Sequence, residues 1–105
     1  MTSLRSNREA VAEWRRKELY NVVLNRQKDP QEGSYTNYLL EAGTEKIAKK
    51  LGEEAVETAL AAAKRSKTEV IEEISDVIYH MLVLMVDMGI TPEDIEKELR
   101  GRRSW

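Results

Sequence analysis

Between Gly52 and Asp76 the sequence GEEAVETALAAAKRSKTEVIEEISD carries seven carboxylates. Two pairs among them stand at a spacing of three, Glu54 with Glu57 and Glu73 with Asp76. On a helix that spacing is about one turn, so both members of a pair share a face. The segments holding the pairs meet at a turn of three residues, Arg65 to Lys67. Helices joined that tightly run antiparallel as neighbours, which aims one pair at the other. Four converging carboxylates repel unless a positive charge sits among them. All-oxygen ligands select hard cations, and Mg²⁺ or Mn²⁺ that also binds substrate phosphates is the usual use of such a site. The same residues also suit a solvated charged face laced by the ion pairs Lys49–Glu53 and Lys50–Glu54, each worth tenths of a kcal/mol. Spacing alone does not separate these readings.

The elements that must position the acids all read as helices. From Asn7 to about Gln27, Val11, Trp14, Leu19, Val22, Val23 and Leu24 form a loose apolar stripe. KDPQEG breaks it with a proline and a glycine. Ser34 caps a short helix over Tyr35 to Ala42, which Gly43 ends. Thr44 caps the next helix, running to about Arg65, with Ile47, Ala48, Leu51, Ala55, Ala59 and Ala63 as its apolar side. Ser66 and Glu69 fit a reciprocal capping box for a helix reaching Met88 and stopped by Gly89. Its core side is Val70, Ile71, Ile74, Ile78, Met81, Leu82 and Met85, and its second half is apolar nearly all the way round. Such a helix needs cover on several sides, and so short a chain has few other helices to supply it. A homodimer packed through this helix follows. Thr91-Pro92-Glu93-Asp94 opens a last helix. No segment alternates as a strand does, so the class is all-α.

Composition narrows the chemistry. The chain has 105 residues, 41% hydrophobic and 34% charged, with a net charge of −2. That charge argues against a dedicated nucleic-acid surface. With no cysteine, thiolate zinc sites, iron–sulfur clusters, disulfides and cysteine nucleophiles are excluded. MTSLRSNREAVAEW lacks the apolar core of a signal peptide, and the longest apolar run, Met81 to Val86, has six residues. A cytoplasmic protein of one domain over residues 1–105, frayed at 1–6 and without a membrane partner, is expected.

The motifs also carry a resemblance. Glu53-Glu54-Ala-Val-Glu57, fifteen residues, then Glu73-Ile-Ser-Asp76 is similar to the EExxE…ExxD signature of the MazG-like all-α nucleoside triphosphate pyrophosphohydrolases. DPQEGSYTNYLLEAGTEKIAKKLGEEAVETALAA and ISDVIYHMLVLMVDMGI more specifically resemble the phosphoribosyl-ATP pyrophosphohydrolase branch, across roughly residues 19 to 100. The resemblance implies a MazG-like helical bundle completed by homodimerisation. It implies hydrolysis of 1-(5-phosphoribosyl)-ATP to 1-(5-phosphoribosyl)-AMP and pyrophosphate, the second step of L-histidine synthesis. It places Glu54, Glu57, Glu73 and Asp76 at Mg²⁺-ligand positions, with Mn²⁺ as the alternative ion and Glu53 as a fifth acid. A bound metal neutralises the triphosphate and acidifies a water, whose proton Glu53 or Glu57 would accept.

Other candidates follow by position. Lys46 and Lys50, one and two turns before the acids, either pair with Glu53 and Glu54 or reach phosphates. Ser34 and Tyr35 stand where free N–H groups at a helix entry favour anions; otherwise Ser34 is a plain cap and Tyr35 a packed ring. His80 reads as a hydrogen-bonded residue near the site or an interface rather than a ligand. A MazG-like house-cleaning hydrolase of (d)NTPs keeps the metal site but not the EGSYT resemblance. A dimerisation module without chemistry keeps only the helices. A di-iron bundle is disfavoured because Glu-x-x-His does not occur.

Overall fold

A computed structural model of the chain describes residues 17–102, and every regular element among them is a helix. Residues 17–28 form the described part of α1; α2 spans Tyr35–Ala42, α3 Thr44–Ala63, α4 Lys67–Met88 and α5 Pro92–Gly101. The expected cap and apolar residues before residue 17, and the expected fraying at 1–6, lie outside the described residues.

The helix ends follow from local chemistry. Ser34 caps α2, its hydroxyl oxygen accepting from the Asn37 N–H at 3.2 Å. Gly43 closes α2 through its N–H to Leu39 and is also the N-cap of α3, at φ 99°, a backbone region open to glycine. Thr44 therefore lies inside α3 rather than capping it, and its hydroxyl donates to Asp87 Oδ2 on α4. The α3–α4 turn is a Schellman arrangement. Ser66 N–H bonds to Ala61 O and Arg65 N–H to Ala62 O, with Arg65 in the left-handed region at φ 56°. Ser66 caps α4 through the Glu69 N–H. Glu69 does not return the bond: its carboxylate pairs with Lys64 at 2.7 Å across the turn, so the expected box is half made. The complete capping box is at Thr91 and Asp94, where α5 begins.

The core is concentrated at one end. Tyr20 and Val23 from α1, Leu39 from α2, Ile47 from α3, and Leu82, Val83, Met85 and Val86 from α4 form one buried cluster. Tyr20 OH donates to Ile90 O at 3.1 Å, tying α1 to the end of α4. Leu39 is fully buried, so truncating it to alanine costs about 2–5 kcal/mol. α4 packs mainly on α3. There the expected core side is largely uncovered: Leu82 and Met85 are buried, but Ile71, Ile74, Ile78 and Met81 are 40–57% exposed. On α3, Ile47 and Ala61 are buried, whereas Ala48, Ala55, Ala59 and Ala63 are exposed. Alanines bury too little area to dictate a helix's rotation, so the tight turn, where small Ala61 admits close approach, decides which strip faces α4.

One buried polar side chain fixes the link from α1 to α2. Asn37 donates from Nδ2 to Arg26 O at 2.7 Å and accepts at Oδ1 from the Gln31 N–H at 2.8 Å. It thereby satisfies a carbonyl at the end of α1 and an amide of the Pro30–Gly33 loop that lack other partners.

Candidate metal centre

The antiparallel packing of α3 on α4 brings Glu54 and Glu57 level with Glu73. One carboxylate oxygen from each lies within 4.8 Å of the other two. Glu54 and Glu73 are half-buried; Glu57 is exposed. Asp76 is exposed and stands outside this trio. It sits a turn further along α4, on a side chain one carbon shorter than glutamate.

Electrostatics within the trio are unfavourable for three free charges. Glu73 has its pKa raised from 4.5 to about 7, first by hydrogen bonding to the Glu57 carboxyl, then to that of Glu54, then by burial and the two like charges. Those hydrogen bonds exist only while a carboxyl keeps a proton. Among the described residues no other donor meets Glu54 Oε2 or Glu73 Oε2, both of them buried. Orphaned buried carboxylate oxygens converging from facing helices fit a hard divalent cation, which satisfies them and removes the repulsion together.

The remaining candidates fall around this centre. Glu53 is exposed and outside the trio, paired with Lys50 at 3.9 Å. The pairs Lys49–Glu53 and Lys50–Glu54 expected from spacing do not form among the described residues; the i,i+3 pair replaces them. Lys46 is half-buried and makes no ion pair among the described residues. Ser34 is engaged as the α2 cap.

Tyr35 reaches across to α4, where its hydroxyl lies 3.2 Å from His80 Nε2. His80 is buried, and its Nδ1 lies 2.8 Å from the Asp76 carbonyl oxygen. A carbonyl only accepts, so Nδ1 carries the hydrogen; in the neutral ring Nε2 then accepts and Tyr35 donates. With both nitrogens engaged, His80 has no lone pair left for a metal. Tyr79 stacks on Tyr35 at 6.2 Å between ring centroids, meets His80 edge-on at 5.2 Å, and hydrogen-bonds the Thr36 hydroxyl.

Beside this cluster, at the start of α2, lies an open groove of about 520 Å³ lined by Gln31, Glu32, Gly33, Ser34, Tyr35, Asn37, Tyr38 and Glu41. Sequence reasoning did not single out Tyr38, Glu41 or the buried Asn37. Tyr35, Tyr38 and Glu41 follow one another at a spacing of three along one side of α2, a signal that was there to read.

An all-α fold whose two antiparallel helices bring three carboxylates together defines a class of helical proteins with an acidic centre. Comparison with known proteins narrows the class. The family described as Phosphoribosyl-ATP pyrophosphohydrolase matches residues 16–103. The chain is 49% identical over 85 residues to a Phosphoribosyl-ATP pyrophosphatase of Streptococcus thermophilus, covering 81% of this chain and 82% of that one. It is 54% identical over 86 residues to one of Clostridium novyi, covering 82% and 78%. It is also 57% identical over 81 residues to the Histidine biosynthesis bifunctional protein HisIE of Thermoanaerobacter pseudethanolicus, covering 77% of this chain but 38% of that longer protein. The chain belongs to the phosphoribosyl-ATP pyrophosphohydrolase family.

Proposed function

We propose that the protein hydrolyses 1-(5-phosphoribosyl)-ATP to 1-(5-phosphoribosyl)-AMP and pyrophosphate, a step of L-histidine synthesis, with Mg²⁺ as cofactor. The observation that carries the metal reading is the pair of buried, partnerless oxygens on Glu54 and Glu73 beside Glu57. Glu54, Glu57 and Glu73 would hold the ion, with Asp76 as a fourth carboxylate from the next turn of α4. Bound there, Mg²⁺ or Mn²⁺ supplies positive charge against the triphosphate and acidifies a water. Water adds across the α–β anhydride, and pyrophosphate leaves. Glu57, the exposed member of the trio, takes the water's proton. Glu53 is held by Lys50 and acts by tempering that lysine's charge. Lys46, without a carboxylate partner among the described residues, faces the phosphates.

The working unit is a homodimer. Ile71, Ile74, Ile78 and Met81 on α4, and Val56 and Leu60 on α3, are 40–61% exposed. Apolar stripes of that size on a small protein call for cover, and a second copy of the chain provides it symmetrically. No single helix among the described residues is long and apolar enough to cross a membrane. The reading places the enzyme in the cytoplasm.

Pyrophosphate release tests the activity. With Mg²⁺, release from phosphoribosyl-ATP but not from dATP or dCTP is expected, abolished by EDTA and by Glu54→Gln. Release from dNTPs alone would favour a house-cleaning hydrolase, and release from none of the three would overturn both. Light scattering should give about 24 kDa, twice the 12.1 kDa chain; the monomer mass would overturn the dimer.

A further inference from the structure

We propose that the groove at the start of α2 receives the substrate's purine in its N1-alkylated, cationic form, and that Glu32, Glu41, Tyr35 and Tyr38 thereby select against unmodified adenine nucleotides. The proposal rests on the function proposed above. At about 520 Å³ the groove is of a size that takes a purine and its sugar. Among the described residues its wall carries two carboxylates and two tyrosines and no lysine, arginine or histidine. Such a wall repels phosphate. It attracts a flat cation, which the ring faces bind through their quadrupoles and the carboxylates through charge.

The polarity of the Tyr35 hydroxyl points the same way. Its hydrogen is committed to His80 Nε2, because the other ring nitrogen must donate to the Asp76 carbonyl. Tyr35 therefore has no donor left for a phosphate oxygen, which sets aside the anion-binding role expected of it from its place at the helix entry. Position supports the assignment. His80, which takes the Tyr35 hydroxyl, lies seven residues beyond Glu73 on α4, about 10 Å along the helix axis. Through the Tyr35–His80 contact the groove wall is fixed to α4 at a level about 10 Å from the carboxylate centre, a separation one nucleotide spans. The substrate supplies the charge. An alkyl group on N1 turns the adenine into an amidinium, positive across N1 and the exocyclic nitrogen, whereas the adenine of ATP is neutral near pH 7.

N1-methyl-ATP isolates this effect, since it carries the cation but not the second phosphoribosyl group. The parent protein should prefer it to ATP by about tenfold in kcat/KM, the worth of one cation–π and carboxylate contact. Glu32→Gln with Glu41→Gln should bring the ratio towards one. A general structural defect would lower both substrates alike and leave the ratio unchanged. An NMR titration of the metal-free parent gives a readout without turnover: N1-methyladenosine should shift the Tyr35 and Tyr38 amides, and adenosine should not. Equal responses to the two nucleosides, or a ratio the double variant does not alter, overturn the groove assignment. Phosphoribosyl-ATP hydrolysis in the same preparation would then leave the proposed function standing. Preferential binding of N1-methyladenosine without phosphoribosyl-ATP hydrolysis would uphold the groove and remove that function.

Discussion

Glu73 on α4 and Glu57 on α3 bring carboxylate oxygens within 4.8 Å of each other, two acids facing across the helix pair with Glu54 beside them. The sign of the pH dependence follows. Glu73 titrates at about 7 in the folded protein against 4.5 when unperturbed. A raised carboxyl contributes stability that is fully present below its unfolded value and lost as pH rises through the folded one. The metal-free protein should therefore lose stability from this group between pH 4.5 and about 7. Added Mg²⁺ should raise the melting temperature more at pH 8 than at pH 5.5, with protons released on binding. Glu73→Gln should remove both the slope and the Mg²⁺ effect, and an unchanged slope in calorimetry would count against a raised Glu73 carboxyl.

His80 offers a separable pair of contacts. Glutamine reaches roughly to the Nε2 position and asparagine to the Nδ1 position. His80→Gln should keep a partner for Tyr35, and His80→Asn a donor to the Asp76 carbonyl. His80→Ala leaves the Tyr35 hydroxyl without its acceptor, at a cost of about 1–3 kcal/mol by urea denaturation. Both amide variants should be more stable than the alanine variant. If all three match, the ring contributes bulk alone.

Asn37 should be among the least replaceable polar residues. Asn37→Ala strips partners from Arg26 O and the Gln31 N–H at once. The expected loss is about 2 kcal/mol or more. Asn37→Asp keeps the acceptor for Gln31 and faces the Arg26 carbonyl with an oxygen, so it should be nearly as damaging. Chemical denaturation with an unchanged m-value would check both.

Arg65 is the one non-glycine residue at positive φ among the described residues. Glycine is the residue suited to that place in a Schellman turn. Arg65→Gly should stabilise the protein by roughly 0.5–1 kcal/mol, the relief of left-handed strain less the extra entropy of glycine in the unfolded chain. A lowered denaturation midpoint would show that the arginine side chain has a compensating role.

The acidic centre was legible in the sequence because a helical spacing of three and a three-residue turn leave Glu54, Glu57 and Glu73 little freedom to be elsewhere. Asp76 obeyed the same spacing yet stands apart, since reach depends on side-chain length as well as helical phase. The helix boundaries were readable from Ser34, Gly43, Ser66 and Gly89, whose conformational preferences are local. The face that α3 turns to α4 was not. Its alanines exert little pull, and the rotation was set by the Arg65 turn and by Ala61. His80 was read from the sequence as hydrogen-bonded rather than a ligand, as it is here, but its partners and those of Asn37 were not readable. Each is defined by which backbone carbonyl comes within 3 Å, a product of the assembled fold.

Gly43 ends α2 and begins α3 in a single residue. Such a joint leaves no loop between the two helices. α2 is followed directly by the start of α3, where Lys46 sits in the first turn and Thr44 is moored to Asp87. Tyr35 and Tyr38 at the groove, and the lysine assigned to phosphate, are thus carried on one bent rod. The distance between the two ends of a bound nucleotide is then gauged by the skeleton of the chain, like the fixed jaw spacing of a caliper, and a ligand of the wrong length has nothing to push against that will yield.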